Sequence, residues 1–575
     1  MHCKIRINNR QYNSWSFFNE KDEEIFPSLP DNFHPIDWKL FTHDELEIDD
    51  SGYITKQLSN TIDTTRVYAG VLILVNTRTY GRSHNNRLLY KCIPYDNFLP
   101  ELLVPYDQKI AFSKAFKNKY VTFSFSHWDE KHPRGVIRET LGDVDHLPAF
   151  YEYQLHSKNI HFSNSKMSKY LQRQIAEKHL PDYIQDISQN PLYHVEDKTE
   201  QCYVFTIDPK GSTDLDDAFS IQQCEDNNDL LRVTVYISNV FVWLETMDLW
   251  SQLSQRVSTV YFPDSKRTML PTILSEDWYS LLEKKKRITF AMEILIHQDG
   301  TIDWSSLRFF TALICVRKNF AYEEEKLHKN KHYQKLESLS KKLDSNIQDS
   351  HDVVSYWMIF MNIQCAKQLR DRKCGVFRNS IMKNKELTQN SEYQHLEHDT
   401  TQMLSMWNNV SSTYVKYNED ETVFQHDVMN EDCYIHITSP IRRLVDILNQ
   451  ISFYANVLAI PISENARVFL DKWVSQLDFL NTSMKSIRTI QNNCNLLSQF
   501  IQDPELSQRE HRGILFNEQT IENGYIYQVY LPDLKLMSRL FLEQKHAIFQ
   551  YRQFSLYLFE EEYQAKRKIR LQIHD

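Results

Sequence analysis

Hydrophobic and polar positions follow different periods in successive parts of the chain. Residues 1–62 are polar and irregular, interrupted by Pro27, Pro30 and Pro35, and predict no periodic element. From Val67 the pattern changes. Val67–Asn76, Arg87–Pro94 and Lys119–Phe125 are runs of alternating β-branched and aromatic residues bounded by turn formers, and they predict a small β-barrel. Residues 165–185 carry apolar positions at helical spacing and predict a helical connector. Cys202–Ile207 then reads as a buried strand, broken into a turn by Pro209 and Gly211. A long mixed stretch follows, and after Pro504 the segments His511–Phe516, Gly524–Leu531 and Arg567–Ile573 again read as strands.

Composition places few limits on this outline. The chain has 575 residues, 41% hydrophobic and 25% charged, which are globular values with room for several domains. No apolar run reaches the roughly 18 residues of a membrane span, and Met1–Asn8 has no apolar core of a secretory signal. The nine cysteines are scattered without a C-x-x-C pair, so reduced thiols in an intracellular, cytoplasmic protein are expected, not a zinc site or disulfide framework. The net charge of -10 is not that of a typical nucleic-acid binder. Local basic stretches at Lys284–Arg287, Arg370–Lys373, Arg442–Arg443 and Lys566–Arg570 nevertheless leave room for a positive path across an acidic protein.

The chemistry concentrates between Tyr203 and Ala218. Asp208, Asp214, Asp216 and Asp217 fall within ten residues, offset only by Lys210. Carboxylates this close repel unless some protonate, splay apart or share a cation. A hard cation with oxygen ligands, Mg²⁺ above all, is the natural counter-charge, and such clusters serve phosphodiester cleavage. The spacing is not an EF-hand: Gly211 precedes three of the four carboxylates, and the twelfth position counted from Asp208 is Phe219. A solvated acidic turn and a metal site both fit the composition. The strand that leads into Asp208 favours the metal site, because a solvated loop needs no rigid mounting.

Phe205-Thr-Ile-Asp-Pro followed by Asp214-x-Asp-Asp-Ala resembles the signature of the ribonuclease II family, the RNB-domain exoribonucleases. Other segments similar to the family follow in order: Tyr261-Phe-Pro-Asp through Met269-Leu-Pro271, Leu274-Ser275, Ser280-Leu281, Arg287–Met292, Phe320–Glu323, Met358-Ile-Phe-Met-Asn362 and, most closely, Tyr434-Ile-His-Ile-Thr-Ser-Pro-Ile-Arg-Arg443. His132-Pro-Arg-Gly through Thr140-Leu-Gly142 resembles the end of the cold-shock-like barrel in the eukaryotic exosome-nuclease branch; no segment resembles that branch's PIN domain. The resemblance implies an α+β multidomain protein. Residues 1–62 would be a divergent N-terminal segment, a degenerate first barrel; 63–160 a cold-shock-like OB barrel; 161–189 a helical linker; 190–505 an α/β RNB catalytic domain; and 506–575 an S1-like OB barrel that binds RNA.

It further implies a 3′-to-5′ exoribonuclease that hydrolyses single-stranded RNA to nucleoside 5′-monophosphates. Asp208, Asp214, Asp216 and Asp217 would hold one or two Mg²⁺ ions, with Mn²⁺ as a substitute. Asp216, Asp217 and Arg442 would be catalytic, and Tyr261, Tyr322, Arg442 and Arg443 would contact RNA. Guanidinium suits a scissile phosphate because it stays charged and bridges two oxygens. His436, Thr438 and Ser439 would shape that loop. A monomer is expected, with no membrane partner, and docking onto an exosome is not implied. The chain departs from the family at Ser355 and Tyr356, where an acidic pair is usual, and at Leu444, Gln450, Ile451 and Gln491. Those losses put rate, processivity and preference for RNA over DNA in doubt, and keep open a catalytically weakened RNA-binding or scaffolding protein. An unrelated Mg²⁺ phosphohydrolase would not explain the 434–443 stretch.

Overall fold

The computed structural model describes residues 2–574 except 28, 31, 50–53, 60–63, 76–77, 108–115, 226, 383–394, 408, 421–423 and 428. The chain forms two compact units: residues 1–161, 262–264 and 489–575 make one, and residues 162–261 and 265–488 the other. No helix among the described residues is long and apolar enough to cross a membrane.

The first unit begins with a sheet that the hydrophobic pattern does not predict. Strands β1 (His2–Ile7), β2 (Trp15–Phe18), β3 (Glu24–Ile25), β4 (Glu45–Ile48) and β5 (Ile54–Ser59) pair in the order β3-β2-β1-β4-β5. Cys3, Ile5 and Ile7 alternate inward along β1, but the strands are short and separated by long polar connections. A second set, β6 (Tyr68–Leu72), β7 (Leu89–Pro94), β8 (Leu102–Pro105), β9 (Lys119–His127) and β10 (Arg134–Asp143), closes into a barrel in the order β10-β8-β7-β6-β9. Asn76, the end of the first expected strand, lies outside the described residues. Gly70 permits the close strand crossing, since a Cβ there would stand 2.8 Å from the Phe123 ring and 2.9 Å from the Ile93 carbonyl oxygen. Sheet and barrel share one core, in which Phe41 packs on Phe125 and Trp128 at centroid distances of 5.4 and 4.8 Å. Helix α1 (Leu147–Ser157) follows the barrel.

The second unit opens with α2 (Ser165–Glu177) and α3 (Leu180–Gln189); the expected single helix is split near Pro181, which takes the first turn of α3. Its centre is a mixed sheet of β11 (Glu196–Asp197), β12 (Val204–Asp208), β13 (Asp217–Gln223), β14 (Leu230–Ser238), β17 (Lys286–His297) and β18 (Ile302–Ala321), in the order β11-β18-β12-β13-β14-β17. The 20-residue β18 pairs antiparallel with β17 over its first part and then runs on, parallel, beside β12. That continuation joins the two ends of the sheet into a ring. β12 ends at Asp208 just where its antiparallel neighbour β13 begins at Asp217, so one rim carries the acidic turn. Helix α4 (Val240–Thr246) and the short hairpin β15 (Val260–Tyr261) with β16 (Lys266–Arg267) lie between β14 and β17. The rest is largely helical: α5 (Glu325–His328), α6 (Lys331–Leu343), α7 (Ser350–Asp371), α8 (His398–Trp407), α9 (Leu444–Asn456) and α10 (Glu464–Ser475), with a ribbon of β19 (Val376–Met382) and β20 (Asn409–Lys416). Helix α11 (Leu477–Gln502) leads back to the first unit.

The first unit ends in five antiparallel strands, β21 (His511–Ile521), β22 (Gly524–Leu531), β23 (Leu536–Leu542), β24 (Tyr551–Glu560) and β25 (Arg567–His574), in the order β23-β22-β21-β24-β25. Leu515, Tyr527, Val529, Phe554, Leu556 and Leu571 form its core. The fold is thus α+β, with β-rich regions at both ends of the chain around a central α/β domain.

Candidate active site

The acidic turn is held by backbone and by two serines. Pro209 accepts from the Ser212 N–H, and Gly211 turns the chain at φ +86°, a conformation that favours glycine. Ser280 Oγ donates to the Thr213 carbonyl at 2.8 Å and accepts from the Leu215 N–H at 3.0 Å, while Ser238 N–H donates to the Asp216 carbonyl at 2.8 Å. The four carboxylates therefore stand on a fixed frame. They line a cavity of about 470 Å³ with Tyr261, Tyr322, Ser355, Asn362, His436 and Arg442.

Two of the aspartates have protein partners and two keep an oxygen without one. Asp216 Oδ1 accepts from the Ile441 N–H at 2.9 Å and Oδ2 from Arg442 Nε at 3.2 Å. Asp214 Oδ2 accepts from the Tyr261 hydroxyl at 3.0 Å and Oδ1 from Lys266 Nζ at 2.7 Å. Asp208 Oδ2 and Asp217 Oδ2 are buried with no hydrogen-bond donor. Burial, opposed by the Thr206 hydroxyl and reinforced by the Asp214 charge, pushes Asp208 up to about 7. Burial pushes Asp216 up to about 7 as well, against the pull of Arg442. Asp217 goes well above the carboxylate range through burial and the charges of Asp208 and Asp216. Partial burial opposes the charge on Lys266, but its bonds to Asp214 and Glu276 hold its pKa above the ordinary value.

No group of three or more His, Cys, Asp or Glu side chains among the described residues converges into a ready-made metal centre. The donor set nevertheless fits a divalent cation: buried carboxylate oxygens without donors are costly unless a cation meets them. Asp208 and Asp217 are the residues that meet this test. Asp214 and Asp216, grouped with them in the sequence, are tied to Lys266, Tyr261 and Arg442.

Opposite the turn, the Tyr434–Arg443 segment is built as a cradle for Arg442. Asn362 on α7 accepts from the Ile437 N–H at 3.0 Å and donates to the Tyr434 hydroxyl at 3.0 Å and the Thr438 hydroxyl at 3.3 Å. Asp446, fully buried on α9, accepts from the Ser439 N–H at 2.7 Å and pairs with Arg443. Arg442 Nη2 donates to Ser439 Oγ at 3.0 Å, and the Arg442 carbonyl accepts from Ser258 and Thr259. The Arg442 side chain is 44% exposed and lines the cavity. Arg443 is turned onto Asp446, so it stabilises the loop as well as bordering the cavity. His436 accepts or donates to the Tyr414 hydroxyl at 2.8 Å, and burial, with Arg443 and Arg378 nearby, drives its pKa well below the usual value and keeps it neutral.

The two tyrosines expected to meet RNA both reach the cavity. Tyr261 is 37% exposed, with its hydroxyl tied to Asp214. Tyr322 stacks on His351 at 3.6 Å and an interplanar angle of 11°. Of the departures, Ser355 lines the cavity, whereas Gln450 is structural. Its amide accepts from the Phe241 N–H at 3.1 Å and donates to the Ser238 carbonyl at 2.9 Å, fixing the end of β14 that supports Asp216. Lys266, Asn362 and His351 were not among the expected functional residues. Asn362 and Lys266 lie in recognisable segments, but Asn362's partners are more than 70 residues away and Lys266 reaches Asp214 across 52; His351 carries no local signal.

Residues 196–345 and 325–457 match the RNB domain family. DIS3-like exonuclease 2 of Xenopus tropicalis is 29% identical over 241 residues, which are 40% of this chain and 27% of that protein. This match therefore spans about a quarter of the curated relative's length. Among solved structures, RNase R of Mycoplasma genitalium in complex with ribose methylated single-stranded RNA superposes with a TM-score of 0.67 over 99% of this chain and 100% of that one, at 15% identity. Yeast Ssd1, a pseudonuclease, gives a TM-score of 0.60 over 85% of this chain and 66% of that one, at 14% identity. These structures share the fold, and the matched segments contain the acidic turn, Tyr261, Tyr322 and the Arg442 loop. Residues 196–457, a little under half of the chain, are an RNB domain.

Proposed function

We propose that the chain is a hydrolytic 3′-to-5′ exoribonuclease that uses Mg²⁺ to degrade single-stranded RNA to nucleoside 5′-monophosphates. One observation carries the reading: two buried carboxylate oxygens without donors, on Asp208 and Asp217, share a cavity with an exposed arginine and two tyrosines. Asp208 and Asp217 would hold the cation, with Asp214 and Asp216 beside them. Bound there, the ion would neutralise charge developing on the phosphate and make a water more acidic.

The chain's own residues supply the rest. Arg442, anchored through Nε to Asp216 and through Nη2 to Ser439, can present its remaining Nη1 to a non-bridging phosphate oxygen. Its anchors restrict the rotation that a free arginine would lose on binding. The exposed Tyr261 ring offers a stacking face for a terminal base, and its hydroxyl bond to Asp214 fixes that face. Tyr322, braced by His351, offers another surface to the nucleotide. The reading is tested with 5′-labelled single-stranded RNA and Mg²⁺, beside the Asp217→Asn protein. A ladder that shortens to a limit product with wild type only is the expected outcome; intact RNA with both overturns it.

A second reading has its own support. Ser355 lines the cavity at a position where the resemblance implies an acid, and one similar fold is described as a pseudonuclease. A catalytically weakened RNA-binding or scaffolding protein would bind the same RNA tightly and leave it uncut.

A further inference from the structure

Tyr261 and Lys266 are direct partners across the β15–β16 ladder, so their side chains leave the same face of the hairpin. That register brings both heads to Asp214, one to each carboxylate oxygen, at 3.0 and 2.7 Å. Lys266 is itself only 21% exposed and is also held 3.0 Å from Glu276, which lies outside the cavity lining. It is therefore a fixed cation at the acidic turn, not a passing surface charge.

The charges then balance in a specific way. With all four aspartates of the cavity ionised, as ligation of a cation requires, Asp208, Asp214, Asp216 and Asp217 carry four negative charges, and Lys266 and Arg442 return two through direct contacts. The two charges left reside on Asp208 and Asp217, the two aspartates with unpartnered buried oxygens. One divalent ion matches that remainder. A second would have to share Asp214 with the Lys266 ammonium and the Tyr261 hydroxyl, or Asp216 with the Arg442 guanidinium and the Ile441 N–H, and at either place it would stand beside a fixed positive charge.

We infer that the site takes one divalent cation, on Asp208 and Asp217, and that Lys266 is a resident ammonium in the place where a second ion would sit on Asp214. Lys266 is thus a positioning residue, acting through Asp214 and Tyr261. The inference rests on the proposed cation-dependent nuclease, but it is tested without RNA. Mn²⁺ alone is titrated into the full chain and counted by electron paramagnetic resonance and calorimetry. One ion per chain is expected in wild type, none at this affinity in Asp217→Asn, one in Lys266→Arg and two in Lys266→Met, the second at least tenfold tighter than any further binding to wild type. Retention of the one-ion result in Lys266→Arg guards against variants that merely misfold. Two ions in a wild-type protein that hydrolyses RNA would overturn this inference alone, as would a single ion in a folded Lys266→Met. No ion in wild type, with RNA left uncut, would overturn the nuclease reading too.

Discussion

Asp208 and Asp217 are costly residues to bury. Each holds a carboxylate oxygen away from water with no donor, and each has a pKa pushed upward mainly by burial. A carboxylate whose pKa is higher in the folded than in the unfolded state favours folding when protonated. That contribution is complete below the unfolded value and is lost as pH rises through about 7 for Asp208. Metal-free protein is therefore expected to melt at a higher temperature near pH 5.5 than near pH 8 as far as these groups govern it, and Mg²⁺ is expected to recover stability at the higher pH. Differential scanning fluorimetry across pH, with and without Mg²⁺, reads both effects. Asp217→Asn is expected to abolish hydrolysis, retain RNA binding and raise metal-free stability at pH 8 by about 1–3 kcal/mol, because an amide relieves the like-charge repulsion. A destabilised Asp217→Asn protein at pH 8 would contradict this picture.

At the scale of elements, the site is a turn between two strands facing a loop between β19–β20 and α9, and α7 locks that loop. Asn362 makes three hydrogen bonds to it while 2% exposed. Asn362→Ala is expected to lower unfolding stability by about 1–3 kcal/mol, through unpaired buried groups, and to lower kcat through displacement of Arg442 more than it raises KM. Gln450→Ala is expected to cost a similar amount by releasing Ser238 and Phe241, as denaturant unfolding will measure. These links explain what the sequence made legible. Asp208 to Asp217 and Tyr434 to Arg443 are contiguous in the chain, so their chemistry is written locally. Lys266 on Asp214 and Gln450 on Ser238 join residues 52 and 212 positions apart, and no local pattern encodes them. The N-terminal sheet is absent from the hydrophobic pattern for a related reason. Its strands run from two to six residues, too short for alternation to stand out beside long polar connections. In β23, by contrast, Leu536–Leu542 alternates between half-buried and exposed, but its outward positions include apolar residues, which blurs the signal.

For the whole molecule, the net charge of -10 and the proposed RNA substrate pull in opposite directions. Local positive charge must carry the contact, so RNA affinity is expected to fall steeply with salt despite the acidic total, with a logarithmic slope near -0.7 for each phosphate neutralised. Fluorescence anisotropy of labelled RNA on the Asp217→Asn protein between low and moderate salt measures that slope. A flat response would mean that phosphate contacts contribute little. The balance of charges at the acidic turn matters only if the domain cuts RNA from its 3′ end. The most direct measurement is a time course on single-stranded RNA labelled at its 3′-terminal nucleotide, with Mg²⁺ present. The account predicts that the label leaves at once as a nucleoside 5′-monophosphate while the remaining strand shortens stepwise. Label that stays on intact RNA, or appears first in oligonucleotides, would contradict it.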